Sequence, residues 1–176
     1  MLVFHINLCA LGVKTIKAFS KTNILCGGGD GNVFSLTTDG KNTAVVNKYQ
    51  FYGSINGLSS SPDGLQSLVA TEKGYLYRLR NADFSQMLLC ESNTAPVSSC
   101  WFMPGVSDKF ITTSEDGTIR LWDSNNYTVT ARCVANSNHT KAGAGITAPL
   151  CAVNTDEVII SGWSDGKIRA YRVDNS

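Results

Sequence analysis

A glycine-centred turn recurs four times along the chain, as Gly29-Asp30-Gly31, Glu72-Lys73-Gly74, Glu115-Asp116-Gly117 and Ser164-Asp165-Gly166, and successive last glycines lie 43, 43 and 49 residues apart. A period of that size constrains the fold more than any single residue does. Each repeat must be one supersecondary unit that buries its apolar face only by stacking on a neighbour. The surroundings of each last glycine repeat as well. Two positions after it stand Val33, Leu76, Ile119 and Ile168, and five after it Leu36, Leu79, Trp122 and Tyr171. Six positions before it stand Leu25, Leu68, Ile111 and Ile160, followed by mostly small residues. Two apolar runs joined by an Asp-Gly type of turn read as a β-hairpin, because Gly freely adopts the positive φ of a tight turn and Asp tolerates it.

A further apolar segment precedes each hairpin, beginning at Val13, Ile55, Val97 and Ile146. In three repeats another follows it, over Thr43 to Tyr49, Gln86 to Cys90 and Thr128 to Val134. Four short antiparallel strands per repeat of roughly 40–45 residues is the arithmetic of a propeller blade. The expected architecture is all-β, with about four blades over residues 13–52, 53–93, 94–138 and 139–176. Two closures are open. Leu2 to Leu8 could supply the outer strand missing from the last blade and close a four-bladed ring, or the chain could be an arc of a larger ring. The arc is the favoured reading. It would leave two blade faces uncovered, to be covered by another chain or by more of the same polypeptide.

The strings SEDGTIRLWD (Ser114 to Asp123) and SDGKIRAYR (Ser164 to Arg172) resemble the end of a WD40 repeat. That resemblance implies a buried hydrogen-bond network joining the turn Asp to a Ser or Thr, to the repeat's Trp and to a His ahead of the first strand. Asp116, Ser114 and Trp122 match three of those positions, no His matches the fourth, and Lys73 replaces the Asp in the second repeat. Incomplete networks and looser blades are therefore expected. Asp30, Gly31, Gly74, Gly117, Asp165 and Gly166 are expected to serve the turns structurally rather than catalytically.

Chemistry-bearing patterns are scarce. His5 and His139 are far apart and neither adjoins a nucleophile motif, so no triad can be assembled. CGGGDGN (Cys26 to Asn32) lacks the Gly-Lys-[Ser/Thr] of a phosphate loop and falls on the hairpin register. Six cysteines without a Cys-x-x-Cys pair read as buried, reduced thiols rather than as a zinc or redox site. No enzyme activity and no cofactor are expected. A formal charge of +1 gives no reason to expect nucleic-acid binding. No apolar run approaches the roughly 20 residues of a membrane span, and the apolar opening, broken by His5 and Asn7, lacks the basic start of a signal peptide. The longer last interval is an insertion, NSNHTKAGAG (Asn136 to Gly145), in which His139 and Lys141 mark either a partner-contact loop or a neutral surface loop.

VATEKGYLYRLRNADF (Val69 to Phe84), with Thr-Glu in place of Ser-x-Asp, and IISGWSDGKIRAY (Ile159 to Tyr171), with Trp163 where most repeats hold a small residue, follow LCGGGDGNV (Leu25 to Val33) in order. Together they resemble the second propeller of a ciliary tandem-WD40 family, that of cilia- and flagella-associated protein 52. The resemblance runs from Val13 to Arg172. It implies a non-catalytic microtubule inner protein of the axonemal doublet, a cytoskeletal component of cilia and flagella with tubulin and neighbouring inner proteins as partners. The chain departs from that family in its shorter length and its unmatched first dozen residues. The alternative is a general cytoplasmic WD40 adaptor for complex assembly.

Overall fold

The computed structural model describes residues 5–91, 95–134, 148–155 and 158–172. His139, Lys141 and Ile146 lie outside them. The described residues form fifteen strands and no helix. The first sheet runs β1 (Val13–Ala18), β2 (Asn23–Gly28), β3 (Asn32–Thr38) and β4 (Thr43–Gln50). The second runs β5 (Ile55–Ser60), β6 (Gln66–Thr71), β7 (Tyr75–Arg80) and β8 (Gln86–Glu91). The third runs β9 (Val97–Phe102), β10 (Lys109–Ser114), β11 (Thr118–Asp123) and β12 (Thr128–Val134). The fourth has three strands, β13 (Pro149–Asn154), β14 (Val158–Trp163) and β15 (Ile168–Arg172). Every sheet is an antiparallel meander in chain order.

The repeated glycines sit where the backbone needs them. Gly31, Gly74, Gly117 and Gly166 have φ of 80°, 82°, 86° and 77°. Each donates its N–H to the carbonyl three residues earlier, at 3.0–3.2 Å. This is a type I turn followed by a left-handed glycine, a three-residue hairpin loop. The aspartates do not share the left-handed conformation, against expectation. They work through their side chains: Oδ1 of Asp30, Asp116 and Asp165 accepts the N–H two residues on, from Asn32, Thr118 and Lys167. In the second sheet, where Lys73 stands, Thr71 Oγ1 takes over and accepts the N–H of Tyr75 at 3.2 Å.

The first strand of each sheet has a register shift after its first residue, at Val13/Thr15, Ile55/Gly57, Pro149/Cys151 and, on the facing strand, Thr113/Ser114. Bulges raise local twist, and here one recurs at the same place in every sheet, with a second shift between the third and outer strands of the first three. The first strands β1, β5, β9 and β13 pack successively against one another, so the sheets fan out like blades.

The core lies between blades. Leu25 and Val33 of the first pack on Ile55, Val69 and Leu79 of the second. Leu68, Ala70 and Leu76 of the second pack on Phe102, Phe110 and Trp122 of the third. Ile111 and Ile119 of the third pack on Ala152, Ile159 and Trp163 of the fourth. Strand alternation creates this division: the residues six before and two after each glycine form a blade's trailing face, and the residue five after it joins the leading face.

The two ends of the fan differ, against the expectation of two uncovered faces. On the leading face of the first blade, Cys26, Phe34 and Leu36 are buried, with Leu8 and Cys9 packed against them. Ala10 N–H donates to Asp30 Oδ2 and Gly29 N–H to the Gly12 carbonyl, which holds this segment in place. His5 to Leu8, the described part of the segment considered for the last blade's outer strand, forms no strand.

Candidate interaction surface

Ser114, Asp116 and Trp122 do not form one network. The Ser114 hydroxyl accepts the Asp116 N–H at 3.2 Å, and the Asp116 carboxylate takes hydrogen bonds from the Thr118 hydroxyl and the Arg120 guanidinium, at 2.6 and 2.5 Å. Trp122 turns the other way and donates Nε1–H to Thr112 Oγ1 at 2.9 Å, its ring stacked 5.6 Å from Phe110. With no His to bridge them, the two halves separate.

Trp163 solves the same problem differently. Its Nε1–H donates to Ser161 Oγ at 2.7 Å, and Ser161, like Thr112, stands five residues before the repeat glycine. The fourth blade has Tyr171 where the third has Trp122, and the indole has moved to the turn while keeping the same acceptor position. Cys26 and Val69 occupy that position in the first two blades, which carry Leu36 and Leu79 instead of an indole. A hydroxyl stands there only where a buried indole N–H must be satisfied.

Asp165 receives Arg169 through both guanidinium nitrogens, at 3.0 and 2.7 Å. Those hydrogen bonds pull its carboxyl down to about 2. Arg169 also lies over the Trp163 ring at 4.8 Å. Asp116 and Asp165 thus bond to groups of their own turn and strand, and Asp30 also accepts the Ala10 N–H from the segment ahead of the first blade.

Among the described residues, two hollows open between blades. One of about 530 Å³ lies between the second and third, lined by Asp63, Gln66, Arg78, Ser107, Asp108 and Tyr127 among others. Arg78 spans it, donating to Gln66 Oε1 at 2.9 Å and lying over Tyr127. The other, of about 320 Å³, follows the inner strands past Lys17, Ser60, Trp101 and Asn154. Lys17 Nζ there stands 5.1 Å from the Trp101 ring centre. Neither lining holds a histidine or a cysteine, and among the described residues no cluster of three metal-ligating side chains occurs. Sequence reasoning missed Thr112, Thr71 and the Lys17–Trp101 pair. The first two carry a signal in the repeat register, whereas the third joins strands from different blades and carries none.

Cys9, Cys26, Cys100 and Cys133 are unpaired thiols. Burial raises all four, Cys100 to about 12. Raising a thiol's pKa disfavours the thiolate, the form that acts as nucleophile or metal ligand.

The sequence pattern of the family described as "WD domain, G-beta repeat" matches residues 85–123. The fold overlays 93% of this chain on 52% of the WD40 β-propeller domain of Doa1 with TM-score 0.71 at 15% identity. The fold of this chain is an arc of β-propeller blades of the WD40 type. A second solved structure, of U3-55K, overlays on 93% of the WD40 arc with TM-score 0.77 at 11% identity, and half of that chain is covered. Among curated proteins, human cilia- and flagella-associated protein 52 is 28% identical over 92% of the arc, and its pig counterpart 29%. The arc spans only 24% of those relatives. Human WD repeat-containing protein 90 is 30% identical over 61% of it.

Proposed function

We propose that the arc is a non-catalytic structural scaffold of cilia and flagella, a microtubule inner protein that contacts tubulin and neighbouring inner proteins inside the doublet. The observation that carries this reading is the similarity to cilia- and flagella-associated protein 52 over 92% of the chain. The physical design suits it. The blades hold their turns rigid by internal hydrogen bonds and present loops at both rims, where many weak contacts to a repeating lattice add through multivalency. Near-zero net charge, +1, suits a protein seated by shape and multiple contacts rather than by long-range attraction. The test is extraction. A tagged chain in flagellated cells is expected to remain with the doublet microtubules through detergent and high salt. Release of most of it into the soluble fraction would favour a general cytoplasmic adaptor and sink the inner-protein reading.

A further inference from the structure

The strand pairings align one residue from each inner strand. Lys17, Ser59, Trp101 and Val153 pair with Leu25, Leu68, Ile111 and Ile160, the residues six before each repeat glycine. They therefore stand at one level of the fan, one from each blade. In the first blade Val13 pairs with Gly28, beside the glycine turn, so this level lies toward the opposite ends of the inner strands. All four residues line the hollow of about 320 Å³, with Pro62 and Pro104 exposed beside it.

The charge of this hollow is one-sided. Among the described residues, Lys17 is the one charged member of its lining. Its half-buried side chain reaches from the first blade to the third, where Nζ lies 5.1 Å from the Trp101 ring centre. A cation–π contact leaves the ammonium N–H groups without an anionic acceptor. The ion pairs among the described residues use Arg80, Arg120, Lys167 and Arg169 instead. The neighbouring donors are poorly matched as well. Trp101 Nε1–H is buried without a partner among the described residues, whereas the Trp122 and Trp163 N–H groups each find a hydroxyl. Asn154 Nδ2 donates to the Met103 sulfur at 2.7 Å, and a thioether is a weak acceptor. A half-buried cation amid such donors is the electrostatic complement of an anion.

We propose that this hollow binds a carboxylate side chain, a glutamate or aspartate of a bound peptide segment, with the Lys17 ammonium as counter-ion and the Trp101 ring as a wall. A single cation matches a singly charged group. Phosphate carries nearly two charges at neutral pH and is typically held by arginine or by clustered backbone N–H groups, and no arginine lines the hollow. The Trp101 ring, Pro62 and Pro104 offer apolar surface to the methylenes and chain neighbours of the acidic residue. The ciliary reading neither requires nor excludes such a site, so the two stand or fall separately.

The indole N–H resonances of the isotope-labelled full chain test the site, because Trp122 and Trp163, hydrogen-bonded within their own blades, serve as internal references. A short glycine-flanked glutamate peptide, acetylated and amidated, is expected to shift the Trp101 resonance saturably and leave the other two in place. The glutamine counterpart is expected to bind at least about tenfold more weakly, and Lys17→Gln to weaken the glutamate peptide by a similar factor. Lys17→Arg, which keeps the charge, should bind more tightly than Lys17→Gln, and parental Trp122 and Trp163 resonances report that each variant is folded. Equal binding of the two peptides, undiminished binding by Lys17→Gln or an unmoved Trp101 resonance would overturn the proposal. Inorganic phosphate or free glutarate acting on Trp101 at lower concentration than the glutamate peptide would overturn it too, in favour of a small anion.

Discussion

Asp165 shows how a turn residue becomes a measurable probe. Its carboxyl is held near 2 by the Arg169 hydrogen bonds, well below the ordinary carboxylate value. A depressed folded-state value means the ionised form favours the fold. The contribution is complete above about pH 4 and is lost as pH falls toward 2. We predict that the difference in melting temperature between the parent and Asp165→Asn shrinks steadily from pH 5 to pH 2. A difference that stays constant over that range would show that the pair does not act through the Asp165 charge. The position of this aspartate was legible from the Asp-Gly turn alone. The role of Trp163 was not, because its acceptor, Ser161, is recognised only by superposing its place in the repeat on that of Thr112. The split between Asp116 and Trp122 was equally hidden: a motif names the residues but cannot say which hydroxyl each will find.

At the scale of the strand, Ile119 and Ile168 form a natural comparison. Both are isoleucines two residues after a repeat glycine, on β11 and β15, yet Ile119 is 1% and Ile168 is 79% exposed. Ile119→Ala is expected to cost about 2–5 kcal/mol of unfolding free energy, the usual loss for a buried aliphatic truncation. Ile168→Ala should stay within about 0.5 kcal/mol in the isolated chain. Urea unfolding of the two variants decides this, and equal losses would refute the open-face description. Most strand positions were readable from hydrophobic periodicity, and the outer strands lie where that pattern put them. The turns before β8 and β12 were not readable. There Phe84 and Tyr127 adopt left-handed φ of 60° and 55°, a conformation unfavourable to aromatic residues. Phe84 is buried among Val69, Leu79 and their neighbours, and Tyr127 packs against the Phe110–Trp122 cluster. Packing against the adjoining strands holds the strained backbone, and no local pattern announces that.

Across the whole molecule, stability is transmitted from blade to blade, since the apolar clusters join only successive sheets. Such an arrangement behaves as a chain of nearest-neighbour couplings. Amide exchange in the isolated chain is expected to be slowest in β6 and β10, which have a blade on either side, and faster in β14 and β15. Uniform protection across all four sheets would show that the arc unfolds as one unit and that its last blade is not weakened by its bare face. By itself, the sequence determined the blade: its period, its glycine turns, its strands and which residues face inward. These depend on contacts within about 45 residues, where turn geometry and alternation act directly. Only the tertiary structure decided that the leading end is closed by Leu8 and Cys9 while the trailing end stays open. Identical residue types stand at the repeat positions in buried and bare blades alike, and burial belongs to the neighbour rather than to the residue.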